Sequence, residues 1–300
     1  MKANLKETAL ALPGAPDSHA IAVAPRIRRL ASAAWNRNWL RKLLLLVLLC
    51  GLWELYAGRL NNPLMVPTFS ATAQALVDAL AGGGLAARVV TSFRILLTGF
   101  GIGVVLALLL AVAAVGSRIG ADLLELFTAM FNPLPAIALL PLALLWFGLG
   151  NGSITFVLVH AVLWPVALNA HAGFAGINNT IRMVGRNYGL SGFRYAFGIL
   201  LPAALPTLLA GLRNGWAFAW RTLIAAELVF GVSSGSGGIG WFIYENKQQL
   251  EIPSVFAGLI TVIIIGIAVE SLVFDRIERV TVVKWGMNTS GQAQPAPLRS

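Results

Sequence analysis

Residues 126–181 form a run of 56 positions without one aspartate, glutamate, lysine or arginine. A helix that crosses a bilayer needs roughly 20 mainly apolar residues, so this run is far too long for one crossing. The turn signal Gly148-Leu149-Gly150-Asn151-Gly152 divides it into two. A soluble surface could not be built from such a chain. Soluble globular proteins carry about 25% charged residues, whereas this one has 11%, with 57% hydrophobic and a mean hydropathy of +0.77. No succession of ten-residue segments alternates with strand periodicity, which argues against a membrane β-barrel. The sequence describes an all-α integral membrane protein.

Further apolar segments lie at 40–57, at 95–117 with a helix start near Arg88, at 202–230 and at 253–274. About six transmembrane helices result. Basic residues orient them, because cytoplasmic loops hold an excess of lysine and arginine. With the amino terminus inside, 16 of the 22 basic residues fall on the cytoplasmic side, among them Arg118, Arg182, Arg186, Arg194 and Arg276. Only Arg59, Arg88 and Lys247 fall outside, and Arg94, Arg213 and Arg221 lie in or near spans. Both termini therefore read as cytoplasmic. The net charge of +10 is a topology signal that also suits anionic lipid headgroups, not a nucleic-acid footprint. Leu55-Tyr56-Ala57-Gly58 is a poor cleavage site, so the first apolar run reads as an uncleaved helix. The expected domains are a basic, largely disordered tail at 1–39, a transmembrane domain at 40–278, and a cytoplasmic tail at 279–300. One cysteine, Cys50, and three histidines point to no disulfide framework and no metal site. No convergent acids and bases suggest a catalytic residue.

The stretch 178–201 between the fourth and fifth spans reads as two short helices. One covers 179–188 and is closed by Gly189 as a left-handed cap; the other is N-capped by Ser191 and runs into Pro202. This stretch resembles the cytoplasmic signature of the permease subunits of ABC importers: Glu-Ala-Ala, three residues, Gly, nine residues, Ile-x-Leu-Pro. Here Gly189 is followed by nine residues and then Ile199-Leu200-Leu201-Pro202. The first half departs: Met183-Val184-Gly185 stands where Glu-Ala-Ala stands, followed by Arg186-Asn187-Tyr188. The acidic residue that would pair with a basic group of the ATPase is missing. Over residues 60–286 the chain is similar to the nitrate, sulfonate and taurine permease branch. Pro133-Leu134-Pro135, LLPLALLWFGLG, GLRNGWAFAWRTLIAAEL and GSGGIGWFI carry that likeness.

The resemblance implies a type I ABC importer permease fold in a prokaryotic inner membrane, paired with a second permease copy. Two cytoplasmic ABC ATPase subunits would clamp the helix before Gly189, and an extracytoplasmic binding protein would deliver a small organic or inorganic anion. ATP and Mg would be used by the partner, with no cofactor on this chain; no G-x-x-x-x-G-K-[ST] phosphate loop occurs in it. A stand-alone secondary transporter or channel is the alternative, but it is expected to show internal repeats, and none is evident.

Other residues attract attention. Gly235-Ser236-Gly237-Gly238-Ile239-Gly240 spells a dinucleotide fingerprint, yet the motif requires a strand before and a helix after. Between two spans it reads as a Gly-rich turn on the outer face. Charges inside spans are costly and face protein or a cavity. Arg94, Arg221 and Glu227 are accordingly an ion pair holding helices together, arginines that snorkel to a headgroup, or an anion pathway, since arginine binds sulfonate or carboxylate well. Pro133, Pro135 and Pro141 interrupt the third span. Gly99-x3-Gly103 allows close helix packing, while His160, His171 and Cys50 read as packed or pore-adjacent.

Overall fold

The computed structural model describes residues 38–115, 117–190, 192–230 and 237–287. The chain divides into two compact units, 1–61 and 62–300. Most of both expected tails, Ser191 and residues 231–236 lie outside the described residues. In the first unit, α1 (Asn38–Leu60) is a 23-residue helix.

Among the described residues, the second unit has only helical regular elements. It comprises α2 (Phe69–Ala81), α3 (Leu85–Val115), α4 (Arg118–Phe131), a 3₁₀ turn (Ala136–Leu139), α5 (Leu140–Phe147), α6 (Asn151–Ala175), α7 (Asn179–Asn187), α8 (Gly192–Tyr195), α9 (Leu201–Phe230), α10 (Ile239–Gln248) and α11 (Ile252–Val269). A π turn (Ala196–Leu200) joins α8 to α9. Past α11 the helix continues through two π turns and the short α12 (Asp275–Glu278) as far as Val283, five residues into the stretch read as a tail. Four helical runs are long and apolar enough to cross a membrane: Trp39–Leu60, Leu85–Val115, Asn151–Ala175 and Ile252–Val283. The third expected span is not one helix. It is the pair α4 and α5, bent by 86°, and it makes a fifth crossing if counted as one. The sixth long helix, α9, has 30 residues and carries Arg213, Arg221 and Glu227; it is not among the runs apolar enough to qualify.

The break in the third span has a local cause. Pro133 and Pro135 lack the N–H groups a continuing ladder needs, so α4 stops at Phe131 and the chain turns. Pro141 does not break anything: it occupies the first turn of α5, where an N–H would have no partner anyway. Ser117 caps α4, its Oγ accepting from Gly120 N at 2.9 Å.

At the centre, α6 lies between α3 and α9. Two glycine pairs let the backbones approach. A Cβ on Gly99 or Gly103 would fall 2.6 Å from Leu158 Cβ or 2.8 Å from Val162 Cβ, and one on Gly211 or Gly215 would fall 2.6 Å from Asn169 Cβ or 2.8 Å from Val166 Cγ2. The Gly99-x3-Gly103 spacing is thus used inside the subunit, and Gly211-x3-Gly215 repeats the device on α9. Leu158, Val162 and Val166 are buried between them. Trp216 meets Phe100 edge-on with centroids 5.5 Å apart, closing α9 against α3.

Candidate functional site

The signature loop builds itself from local interactions. Asn178 Oδ1 accepts from Thr180 N at 2.9 Å, capping α7. Arg182 donates back to the carbonyls of Ile177 and Phe174, satisfying the exposed end of α6. At the other end Gly189 adopts φ +67°, and Leu190 N donates to Gly185 O at 3.1 Å. This is the six-to-one closure that a left-handed glycine permits.

Gly185 also decides how α7 docks. A Cβ there would fall 2.6 Å from Cε2 of Tyr195 and 3.1 Å from Cγ1 of Ile199. The departure from Glu-Ala-Ala therefore has a physical reason at its third position, because only a glycine leaves room for the Tyr195 ring. Leu201 packs against the buried cluster of Ala111, Ala170, Phe174, Ile177, Ala204 and Leu208, which ties the Ile-x-Leu-Pro half to the ends of α3 and α6. The exposed surface of α7 is mixed: Ile181, Met183 and Val184, with Tyr188 just past its end, are exposed, and so are Asn179, Thr180 and Asn187. Beside it Ile181, Ile199, Pro202, Pro206 and Met287 line a groove of about 410 Å³. No acidic residue occurs in α7.

Of the three charged residues of the expected anion pathway, Glu227 is not paired with either arginine. Glu227 is only 1% exposed. Its oxygens accept from Ser92 Oγ at 2.8 and 2.9 Å and from Gly240 N at 2.9 Å. Ser92 Oγ in turn accepts from Ile239 N at 2.9 Å. Arg94 and Arg221 are exposed, and neither forms an ion pair with Glu227; Arg221 stands 5.8 Å over the Phe218 ring. The carboxylate instead pins α10 to α3 and α9. Gly238 and Gly240 are glycine because a Cβ on either would run into Glu227, so the Gly-rich segment is packed here. Arg88 reinforces the same end, donating to Glu245 Oε2 at 2.8 Å and to Gly237 O at 3.4 Å.

Two arrangements escaped the sequence reading. Arg213 on α9 holds three acids of the last helical run: Glu270 at 3.1 Å, Asp275 at 3.1 Å and Glu278 at 3.1 Å, with Phe274 beneath its guanidinium at 5.8 Å. The i, i+5, i+8 spacing of these acids was the available signal. The second is a cavity of about 270 Å³ where the α4–α5 break faces α6 and α9, lined by Asn132, Pro133, Pro135, His160, Trp164, Phe218 and Thr222 among others. His160 and Trp164, one helical turn apart beside a proline break, were its trace in the sequence. Among the described residues no group of three or more His, Cys, Asp or Glu could hold a metal ion.

Comparison with known proteins gives this geometry its context. Residues 64–280 match the family model described as binding-protein-dependent transport system inner membrane component. The chain is 27% identical over 255 residues to the Bacillus subtilis permease SsuC, named for aliphatic sulfonates transport, covering 85% of this chain and 90% of that one. It is 29% identical over 239 residues to the Escherichia coli taurine transport system permease protein TauC, covering 75% and 82%. To the Synechocystis nitrate import permease protein NrtB it is 30% identical over 190 residues, covering 63% and 68%. The family match spans well over half of the sequence, in a helical chain with several candidate crossings, and this chain belongs to the binding-protein-dependent transport system inner-membrane components, the multi-pass permeases of ABC importers.

Proposed function

We propose that the chain forms the translocation pathway of an ATP-driven importer for a small anion of the sulfonate, taurine or nitrate kind, with both termini in the cytoplasm. Two ABC ATPase subunits engage α7, a second copy of the permease completes the pathway, and an extracytoplasmic binding protein delivers the solute. The observation that carries this reading is α7 itself: a nine-residue helix closed by Gly189, braced on Tyr195 and Ile199, with Met183 and Val184 exposed on it and Tyr188 exposed just beyond. With no acidic residue on α7, docking relies on Met183, Val184 and Tyr188 fitting an apolar cleft of the ATPase. Arg186 and Asn187 belong to the same helix, and Pro202 to the groove beside it. Arg94 and Arg221, exposed and unpaired with Glu227, supply positive potential along the anion's route, while Glu227 holds the outer ends of the helices in register.

The test is reconstitution of the chain alone and with its ATPase and binding protein, followed by sulfonate uptake and ATP hydrolysis. Uptake by the chain alone without ATP would sink the reading. Replacing Gly189 by valine puts a β-branched residue at φ +67°, which costs roughly 1–2 kcal/mol. We expect hydrolysis to persist while the transport ratio drops severalfold, with insertion into the membrane unchanged.

A further inference from the structure

The groove beside α7 is closed on one side by the last described residue of the chain. Met287 lines it together with Ile181 of α7, Ile199 of the π turn, and Pro202, Ala203 and Pro206 of α9. No polar side chain takes part. Its volume of about 410 Å³ lies within the roughly 300–1,000 Å³ of pockets that enclose a small ligand. An apolar hollow left open on a surface marks a place where something docks.

The end of the last helical run delivers the chain to that place. Gly286 adopts φ +69°. Around it Met287 N donates to Val282 O at 3.0 Å and Gly286 N donates to Val283 O at 3.1 Å. These are the six-to-one and five-to-two closures of a Schellman turn, whose residue after the glycine packs back on the helix. Met287 does so, against the cluster that holds buried Val282. The helix therefore stops at a fixed point on the rim of the groove. Residues 288–300 follow as Asn-Thr-Ser-Gly-Gln-Ala-Gln-Pro-Ala-Pro-Leu-Arg-Ser. A polar tether comes first, and Pro295-Ala296-Pro297-Leu298 is the apolar stretch beyond it. From Met287 to Leu298 a flexible chain spans about 18 Å root-mean-square, so the stretch is held near the groove at high effective concentration. Its two prolines favour an extended conformation without internal hydrogen bonds, which lowers the cost of ordering it in a groove.

We propose that residues 294–298 of this same chain lie in the groove as an extended strap, with Leu298 against Ile181 and Ile199, and brace α7 against the start of α9. A helix of nine residues is marginal on its own. Arg182 fixes one end of α7 and Tyr195 meets it at Gly185; the strap supplies support along the side that faces α9. The chain's own tail is the occupant because the turn at Gly286 places its start on the rim. On the importer reading above, the strap stiffens the helix on which the ATPase sits, but the occupancy rests only on the groove and the turn.

The test uses the full chain in lipid nanodiscs, without ATPase or solute. In a Cys50→Ser background, Ile181→Cys and Leu298→Cys should cross-link under mild oxidation, and the product should run at monomer mass. Replacing Pro295 and Pro297 by glycine in that chain should cut the yield severalfold, whereas a tail that only collides with its surroundings would gain yield from the added flexibility. Amide hydrogen exchange across 179–187 gives a readout free of cysteines. Removing residues 288–300, or Leu298→Asp alone, should speed it about tenfold, the scale of one leucine partly withdrawn from apolar contact, with the middle of α6 unchanged. No cross-link, or a yield unchanged or raised by the glycines, overturns the strap. So does equal exchange with and without the tail, as a lipid-filled groove would give. A product at dimer mass assigns the groove to the tail of a second copy and overturns it as well. ATP-independent uptake in the separate transport measurement rejects the importer reading and leaves the strap standing.

Discussion

Glu227 shows how one side chain can be read two ways until its neighbours are known. In the sequence it is a costly charge in a span with two arginines nearby. In the structure its partners are a serine hydroxyl and a backbone N–H, and two glycines are there to make room for it. Glu227→Gln keeps the shape and can still accept from Gly240 N, so it should cost little. Glu227→Ala strands Ser92 and the N–H of Gly240 in a buried site, where each unsatisfied group costs about 1–3 kcal/mol. Gly238→Ala should behave like Glu227→Ala, since its methyl would collide with Glu227 Oε1 and Ser92 Oγ, and overpacking costs about 1–3 kcal/mol. Thermal unfolding in detergent micelles ranks the three; equal midpoints for Glu227→Gln and Glu227→Ala would refute the latch.

Among the elements, the last helical run is tied down near its end by the Arg213 clamp and by buried Phe274 and Val282. The run from Ile252 to Val283 is 32 residues long, and only 17% of its most apolar stretch is buried. Beyond Val269 it passes through two π turns, where the Arg213 clamp adds to the burial of Phe274 and Val282. Arg213 and its three acids are 31–47% exposed, where each exposed pair contributes at most about 1 kcal/mol. Removing the arginine also leaves three like charges close together. Arg213→Gln should speed amide hydrogen exchange across residues 270–283 and leave α6 unchanged. Wild type in 1 M salt should move toward the variant, because the screening length falls to about 3 Å. Exchange confined to α6 would contradict this.

At the scale of the whole molecule the test is topology. With Cys50 replaced by serine, Lys247→Cys should react with a membrane-impermeant maleimide from outside, and Arg194→Cys only after the membrane is opened; the reverse pattern would invert the chain. Much of the architecture was legible. The 56-residue uncharged run and its glycine turn separated α5 from α6, and the Gly189-to-Pro202 spacing located α7 and the start of α9. Less legible was the third span, whose prolines announced a break but not an 86° bend. Gly185 looked like a lost signature residue until Tyr195 was found against it.

Hydropathy, charge asymmetry and turn residues act along the chain, through the cost of exposing a backbone to lipid or moving a charge across it. They determined from the sequence alone that this chain is helical and membrane-embedded, while its likeness to the permeases rested on the motifs around Gly189 and Pro202. Which polar atoms find partners depends on distances between residues far apart in sequence: Ser92 and Glu227, Arg213 and Glu278, Phe131 and Trp164. Only the tertiary structure could decide that Glu227 is a latch, that Arg213 is a clamp, and that His160 and Trp164 border a cavity with their donors unspent.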